Sequence, residues 1–501
     1  MKLKYILALV TCLSALPLAA QVNAEVDLLK QQLQAVKDAF EKAQAESRRQ
    51  IEELTKRLDA VAQQQSATTN EQQKWRDWMN SPVTPGRTPL PGERAWSAAD
   101  PIRLAGGGAA SYLNLSFAAL VAAGGSTAKN IEALQLGGHD PKQRGFTVQN
   151  LELTLDGKVD PYFRGQANII LQIDSAGETV IEAEEAFLET VSLPWNLQVK
   201  AGQFFTEFGR LNPTHPHTWD FVDQPLINGR FLGGDGLRNP GVRLSWLVPT
   251  PFYSELFLAV QNSQGETATS FRNDHEGEPF LGRLHDSGSV KAFNDMLFAP
   301  RYVASFNLSD AQTLMVGASA AFGPNGSGPR ADTQIYGLDF FWKWKPAHQH
   351  GGFPFVTWQT ELMMRRYQAG AFTEDLDGNG ALDATDADLN GDGLLNSVPR
   401  EMLTDYGVYS QIAYGFQKGW VAGLRADFVT RSRRAAYEAV YGNDPDRDQR
   451  WRISPNLTWY PSEFSKVRLQ YNYDRRSHIG ADHSIWLQFE FLLGAHAAHK
   501  F

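Results

Sequence analysis

From about Gly106 to Phe501 the chain alternates apolar and polar residues at the two-residue period of a β-strand, segment after segment. In 334–345, Tyr336, Leu338, Phe340, Trp342 and Trp344 fall on one face, and Asp339, Lys343 and Lys345 on the other. A soluble sandwich would also alternate, with its apolar face inside. The length and regularity of the series favour the opposite arrangement, in which the apolar face meets lipid and the charged face lines a wet lumen. The fold class expected is an antiparallel outer-membrane β-barrel of about 16 strands. Beyond the N-terminus no stretch has the roughly 18 uninterrupted apolar residues of a membrane helix, as befits strands that are only half apolar.

The first residues fit that address. Met1-Lys2-Leu3-Lys4 is basic, Tyr5 to Ala20 is an apolar run, and Val22-Asn23-Ala24 offers a small-residue cleavage site, so residues 1–24 read as a secretory signal peptide. Cys12 lies within it and is the only cysteine, so the mature chain would use no disulfide. The formal net charge of −9 disfavours a nucleic-acid partner. The partner implied by the alternating strands is outer-membrane lipid.

Residues 25–62 read as a periplasmic coiled-coil helix. Val26, Leu29, Leu33, Val36, Phe40 and Ala43 step by three and four, and Ser47, Ile51, Leu54, Leu58 and Val61 continue after a stutter. So polar a helix has little to pack on alone, and several copies meeting would supply the partner. The alternative is a helix lying on the barrel's own mouth. Residues 63–105, rich in Gln and then Pro, read as a flexible linker, and 106–501 as the barrel.

Strand candidates run from 110–121 to 483–493, and the connections check the count. Links after even strands are short, as at Asp160-Pro161 and Gln417-Lys418. The long ones, Ala122 to Gly145, Phe205 to Asn239, Ser263 to Ala299, Gln368 to Met402 and Arg431 to Arg450, all follow odd strands. With a periplasmic N-terminus every long loop is external. The polar face then names pore-lining residues, among them Glu152, Asp156, Arg164, Glu361, Arg365, Arg425, Asp427, Arg452, Arg468 and Glu490. Both signs are present, so no ion preference follows, and many of these groups are expected to pair and hold the wall together.

The loop Phe205 to Asn239 is the candidate pore constriction, with glycines that permit tight folding. If it turns inward, Arg210, Arg230 and Arg238 would contact an anion. His215, His217 and Asp220 would instead suit a metal, and Asp223 adds a further carboxylate. The competing reading is a cap over the barrel mouth. A second site lies in Asp375 to Asp386. Asp375, Asp377, Asn379 and Asp383 hold positions one, three, five and nine of a calcium loop, with Gly380 at six, the Ala381 carbonyl at seven and Asp386 at twelve. A structural Ca2+ is the cofactor expected. A second copy begins at Asp388 but has Pro399 at its twelfth position.

The segment Gly202-Gln203-Phe204-Phe205-Thr206-Glu207-Phe208-Gly209 is similar to the G-Q-F-x-x-x-x-G strand end of the phosphate-selective porin O/P family. The stretch from Phe208 to Gly241, with the ending Leu493 to Phe501, resembles a branch often labelled a zinc-regulated outer-membrane receptor. A TonB-dependent receptor of that kind would need a plug domain and about 22 strands, more than this chain supplies. The resemblance implies a homotrimeric, non-enzymatic porin for passive diffusion of small polar solutes or ions, with phosphate among the anions. It also implies a barrel inserted by the barrel assembly machinery, to which a long closing strand ending in Phe501 would be presented. The alternatives are a non-transporting surface or binding barrel with calcium-ordered outer loops, and a zinc-linked uptake barrel.

Overall fold

The computed structural model of the chain describes residues 102–105 and 111–494, except 159, 175, 192, 274–276 and 287. The expected signal peptide, coiled-coil helix, most of the linker and Phe501 lie outside the described residues.

Sixteen strands close into one antiparallel barrel. They are β1 (Tyr112–Ser126), β2 (Gly145–Lys158), β3 (Phe163–Ile173), β4 (Thr179–Thr190), β5 (Leu197–Phe205), β6 (Arg238–Leu247), β7 (Tyr253–Asn262) and β8 (Met296–Ser309). The series continues with β9 (Gln312–Pro324), β10 (Asp332–Trp344), β11 (Phe355–Ala369), β12 (Glu401–Gln417), β13 (Trp420–Arg431), β14 (Arg450–Ser462), β15 (Ser465–Arg476) and β16 (Gly480–Leu493). Each strand pairs with the next, and β16 returns to β1 from Phe117↔Leu493 to Ser126↔Ser484. Every strand has both neighbours, so the sheet has no edge to leave unpaired in lipid. Each lies within a few residues of its predicted position.

One boundary needs correction. The sheet begins before residue 106: Ile102–Ala105 pairs with Leu113–Leu115 of β1. It sits on the flank of β1 that a longer closing strand would have used. The closing strand is paired as far as Leu493, Gly494 follows with φ +86°, and the expected continuation to Phe501 lies outside the described residues.

Alternation decides which face meets lipid. In β16, Trp486, Gln488 and Glu490 are buried, while Ile485, Leu487, Phe489 and Phe491 are exposed. Leu338, Leu362, Ile412, Leu424, Ile453 and Leu469 continue the exposed apolar band on neighbouring strands. Aromatic pairs stand near the short turns, with Phe252 and Phe306 4.7 Å apart and Trp420 stacked on Trp459 at 6.1 Å. Such an apolar belt with an aromatic girdle marks a bacterial outer-membrane barrel. The connections 127–144, 206–237, 263–295, 370–400 and 432–449 all leave from one end, the external one.

The lumen is not empty. Residues 206–237 turn inward, and the short helix Leu226–Phe231 packs on β11, β12 and β13. Leu226, Ile227, Phe231 and Leu232 join a buried core with Ala259, Ala299, Ala321, Ile335, Met363 and Val429 of the wall. Small wall residues make room for it. A Cβ on Gly337 would stand 2.7 Å from the Phe208 ring, and one on Gly407 2.3 Å from Ile227 Cγ2.

Candidate functional site

The inward loop is tied to the wall around the whole circumference. At its start, Gly209 N–H donates to Ser319 Oγ and Leu211 N–H to Glu361 Oε1 (3.0 and 2.9 Å). In mid-course the Lys466 ammonium reaches the His217 carbonyl (2.6 Å), Arg468 that of Trp219 (2.9 Å) and Asn456 that of Asp220 (2.8 Å). At its far end Leu226 N–H donates to Asp427 (3.0 Å). Alternation fixes these wall positions, because each partner projects inward from its strand.

Asp223 is the central latch. Its carboxylate accepts hydrogen bonds from Arg425 (2.6 Å), Arg452 (2.8 Å), Gln470 (2.8 Å) and Asn472 (2.6 Å). Burial alone would raise this carboxyl, but Arg425 and Arg452 pull it down to about 2. Arg425 also binds Asp427 (2.8 Å), and Arg452 binds Asp474 (3.0 Å). Fully paired, such a set fixes geometry; with one member removed, the remaining buried charges are uncompensated. Other wall residues named from the sequence are likewise engaged. Arg365 pairs with Asp405 (2.8 Å), Lys466 with Glu490 (2.6 Å), and Arg164 with Glu189. Glu361 also accepts a bond from the Tyr409 hydroxyl (2.6 Å). Asp156 is half-buried at the short-turn end of β2.

The three loop arginines do not converge, which corrects the expectation of a single anion contact. Arg210 lies over the Phe341 ring at 3.8 Å and lines a cavity of about 510 Å³ at the short-turn end. Arg230 lines a second cavity of about 290 Å³ at the long-loop end and donates to the Asp448 and Pro445 carbonyls. Arg238 opens β6, where it pairs with Glu182 and donates to the Glu184 carbonyl (2.9 Å). Arg210 and Arg230 have no carboxylate in ion-pair contact among the described residues. Arg365, Arg450 and Arg476 join Arg230 around the outer cavity, with Asp446 as the carboxylate there. Burial pushes the Arg230 guanidinium down to about 10, and neighbouring Arg450 adds to the effect. The inner cavity is balanced, with Arg164, Arg210, Arg243 and Arg301 against Glu189, Glu207, Asp220 and Glu255.

The expected metal set His215, His217 and Asp220 does not assemble either. Asp220 points to Gln411 and the inner cavity. His215 and His217, separated by Pro216 in a tight turn, stack at 5.7 Å and face carboxylates of the wall instead. His215 Nδ1 stands 2.7 Å from Glu184 and 3.5 Å from Glu152, and His217 Nδ1 3.1 Å from Glu152. Burial would lower the His215 imidazole, but Glu152 and Glu184 carry it well above the ordinary histidine range.

Glu184 and Glu185 escaped the sequence reading because strict alternation cannot turn two consecutive side chains inward. A bulge does so. Asn168 pairs with Glu185 and Ile169 with Ala183, which leaves Glu184 as the extra residue. A like bulge at Gln149 in β2 turns both Gln149 and Asn150 inward. There Gln149 donates to the Val222 carbonyl of the loop (3.1 Å).

The acidic outer loop adopts the tight turns its glycines allow, with φ +76° at Gly378 and +77° at Gly380. Ligand oxygens of Asp375, Asp377 and Asp386 lie within 4.8 Å of one another. Asn379 donates to Asp377 (2.7 Å) and Asp383 (3.0 Å), which places it and Asp383 at the same cluster. Glu374, fully buried, takes the amides of Leu389 and Asn396 and binds the second acidic turn to the first.

A membrane-spanning barrel with a loop latched across its lumen is the class these features define. No family model matches the chain. It is 30% identical over 388 residues to a protein of Aquifex aeolicus (strain VF5) described as uncharacterized, covering 73% of each chain, and it belongs to that protein's family. Its structure is similar to the outer-membrane channel DcaP of Acinetobacter baumannii (TM-score 0.48, 13% identity, 77% of this chain and 98% of that one). It is also similar to OprB of Pseudomonas putida (0.45, 11%, 77% and 94%) and to an anion-selective porin from Comamonas acidovorans (0.43, 8%, 76% and 100%).

Proposed function

We propose that the barrel is a narrow passive pore for small polar solutes, constricted by residues 206–237, and that its outer cavity favours small anions. The observation that carries this reading is the pair of cavities on either side of the latched loop, of about 290 and 510 Å³. The outer one is lined by four arginines and Asp446; Arg365, Arg450 and Arg476 are paired with Asp405, Asp474 and Asp482, which leaves Arg230 as the lining arginine without an ion pair among the described residues. In a narrow, water-poor passage one such charge outweighs charges on a wide wall. Inorganic phosphate is one anion of the right size and charge. The expected outcome in planar bilayers is a small conductance with a reversal potential on the anion side. Arg230→Ala and Arg210→Ala should each shift it toward cations. Asp223→Ala leaves Arg425 and Arg452 short of a partner, at a cost of about 3–5 kcal/mol for a broken buried pair, and should free the loop and raise conductance. Should neither the native protein nor Asp223→Ala conduct, the pore reading fails.

A second reading is a closed barrel that displays its outer loops, favoured by the apolar core that Leu226, Ile227 and Phe231 build inside the lumen. In either reading Asp375, Asp377, Asn379, Asp383 and Asp386, with the Ala381 carbonyl, are proposed to hold a structural Ca2+. A hard cation takes six to eight oxygens, and the spacing of this loop offers such a set, with ligand oxygens of Asp375, Asp377 and Asp386 within 4.8 Å of one another. Asp375 Oδ1, buried and without a hydrogen-bond partner, supports the fit.

A further inference from the structure

We infer that Glu152, Glu184 and His215 form a buried site for a divalent cation of the zinc type, which clips the inward loop to the barrel wall. The three come from separate elements: Glu152 from β2, Glu184 from the bulge of β4, His215 from the loop. All three are fully buried or nearly so. One ligand atom from each lies within 4.8 Å of the others.

The orientation of each group points to a cation between them. Glu185 Oε2 lies 3.1 Å from His215 Nε2 and accepts the ring proton there, so a cation that displaces the Nδ1 proton meets that nitrogen's lone pair facing inward. That nitrogen meets Glu184 Oε2 at 2.7 Å and Glu152 Oε2 at 3.5 Å, yet none of the three atoms has a partner in hydrogen-bond geometry. Two carboxylate oxygens against an imidazole lone pair repel unless positive charge stands between them. Zinc bonds of about 2.1 Å at tetrahedral angles would separate neighbouring ligand atoms by roughly 3.4 Å, close to this spread. His217 Nδ1, 3.1 Å from Glu152 Oε2, is placed to complete the set.

The surroundings are those of a metal site. The other Glu152 oxygen is held by the Thr154 hydroxyl (3.0 Å) and the Asn168 amide, so Oε2 is the free ligand atom. His139 Nε2 stands 3.5 Å from Glu184 Oε1. The Glu185–His215 contact is the carboxylate–histidine pairing that orients metal-bound imidazoles. The Nδ1 of His215 and the two carboxylates make a mixed N/O donor set, suited to zinc and unlike the all-oxygen outer loop. The inference does not depend on the pore conducting.

The test uses the full-length barrel in detergent, stripped with chelator, carrying Asp375→Ala and Asp377→Ala so that the outer loop does not compete. Zn2+ is titrated with a competing indicator. One equivalent should bind with Kd below about 10 μM. His215→Ala and Glu184→Gln should each weaken it by far more than tenfold, and Glu185→Gln by about 10- to 100-fold, the usual result of losing a group that orients a ligand. Zinc should also slow amide exchange across 206–237, in the native protein and not in Glu184→Gln. Heat-modifiable migration reports whether each variant still folds, and Glu184→Gln, nearly isosteric, serves if His215→Ala does not. No uptake at that concentration would overturn the inference and leave His215 as a protonated imidazole between its carboxylates. So would uptake that Glu184→Gln leaves unchanged.

Discussion

Asp140, in the loop after β1, shows how a single lumen residue can couple this protein to pH. Its carboxylate accepts the amides of Gly137 (2.9 Å) and Gln224 (2.8 Å), and so joins two loops beneath the outer surface. Burial and the nearby Asp223 push its carboxyl up to about 6 from 3.8, against the pull of the Gln224 amide and Arg452. A raised acid binds its proton in the folded chain at a pH where the unfolded chain has lost it. Its stabilising share is therefore complete below about pH 4 and lost as pH rises through 6. The urea midpoint of unfolding should be higher at pH 5 than at pH 7, and Asp140→Asn should narrow that difference. An equal pH response in both proteins would assign the effect to other groups. Asp140 was not legible as such a residue, because its neighbours Asp223 and Arg452 reach it only through the fold. Glu152, Arg425 and Arg452 were legible as lumen residues, since alternation alone sets their face. Glu184 and Gln149 were not, because a bulge breaks the two-residue period that such a reading relies on.

At the level of elements, the strands could be read to within a few residues, since each is a half-buried segment with its own period and turn signals. Where the loop 206–237 lies could not, because it depends on contacts between distant segments such as Ile227 on Gly407. That contact can be tested. A Cβ at 407 would stand 2.3 Å from Ile227 Cγ2 and 2.9 Å from Val429 Cγ1, so Gly407→Val must displace the helix. Overpacking of this kind costs about 1–3 kcal/mol. In the pore reading, the variant should keep its barrel and gain conductance; unchanged conductance with the helix demonstrably shifted would place the constriction elsewhere. The acidic outer loop is the opposite case, since its ligand spacing is local and readable from the sequence. Calcium should protect 375–396 from protease, and Asp375→Ala with Asp377→Ala should abolish that protection while conductance changes little. Loss of protection only with Zn2+ chelation would assign it to the buried histidine site.

Across the whole molecule, barrel closure is self-sufficient. Strands β1 to β16 each have two neighbours, and Ile102–Ala105 completes the flank of β1 beyond Leu493. Residues 25–62 lie outside the described residues; their apolar positions from Val26 to Val61 recur at helical spacing, and such a stripe on a helix would need a partner. Copies of the same segment from neighbouring barrels would bury that stripe. The expected assembly is a homotrimer held in part by this coiled coil. Deleting 25–73 should leave a folded, heat-modifiable barrel and shift native mass spectra in mild detergent from trimer toward monomer. Should the full-length protein already be monomeric there, the helical segment has another use. A truncated protein that remains fully trimeric would place the contact on the barrel wall instead.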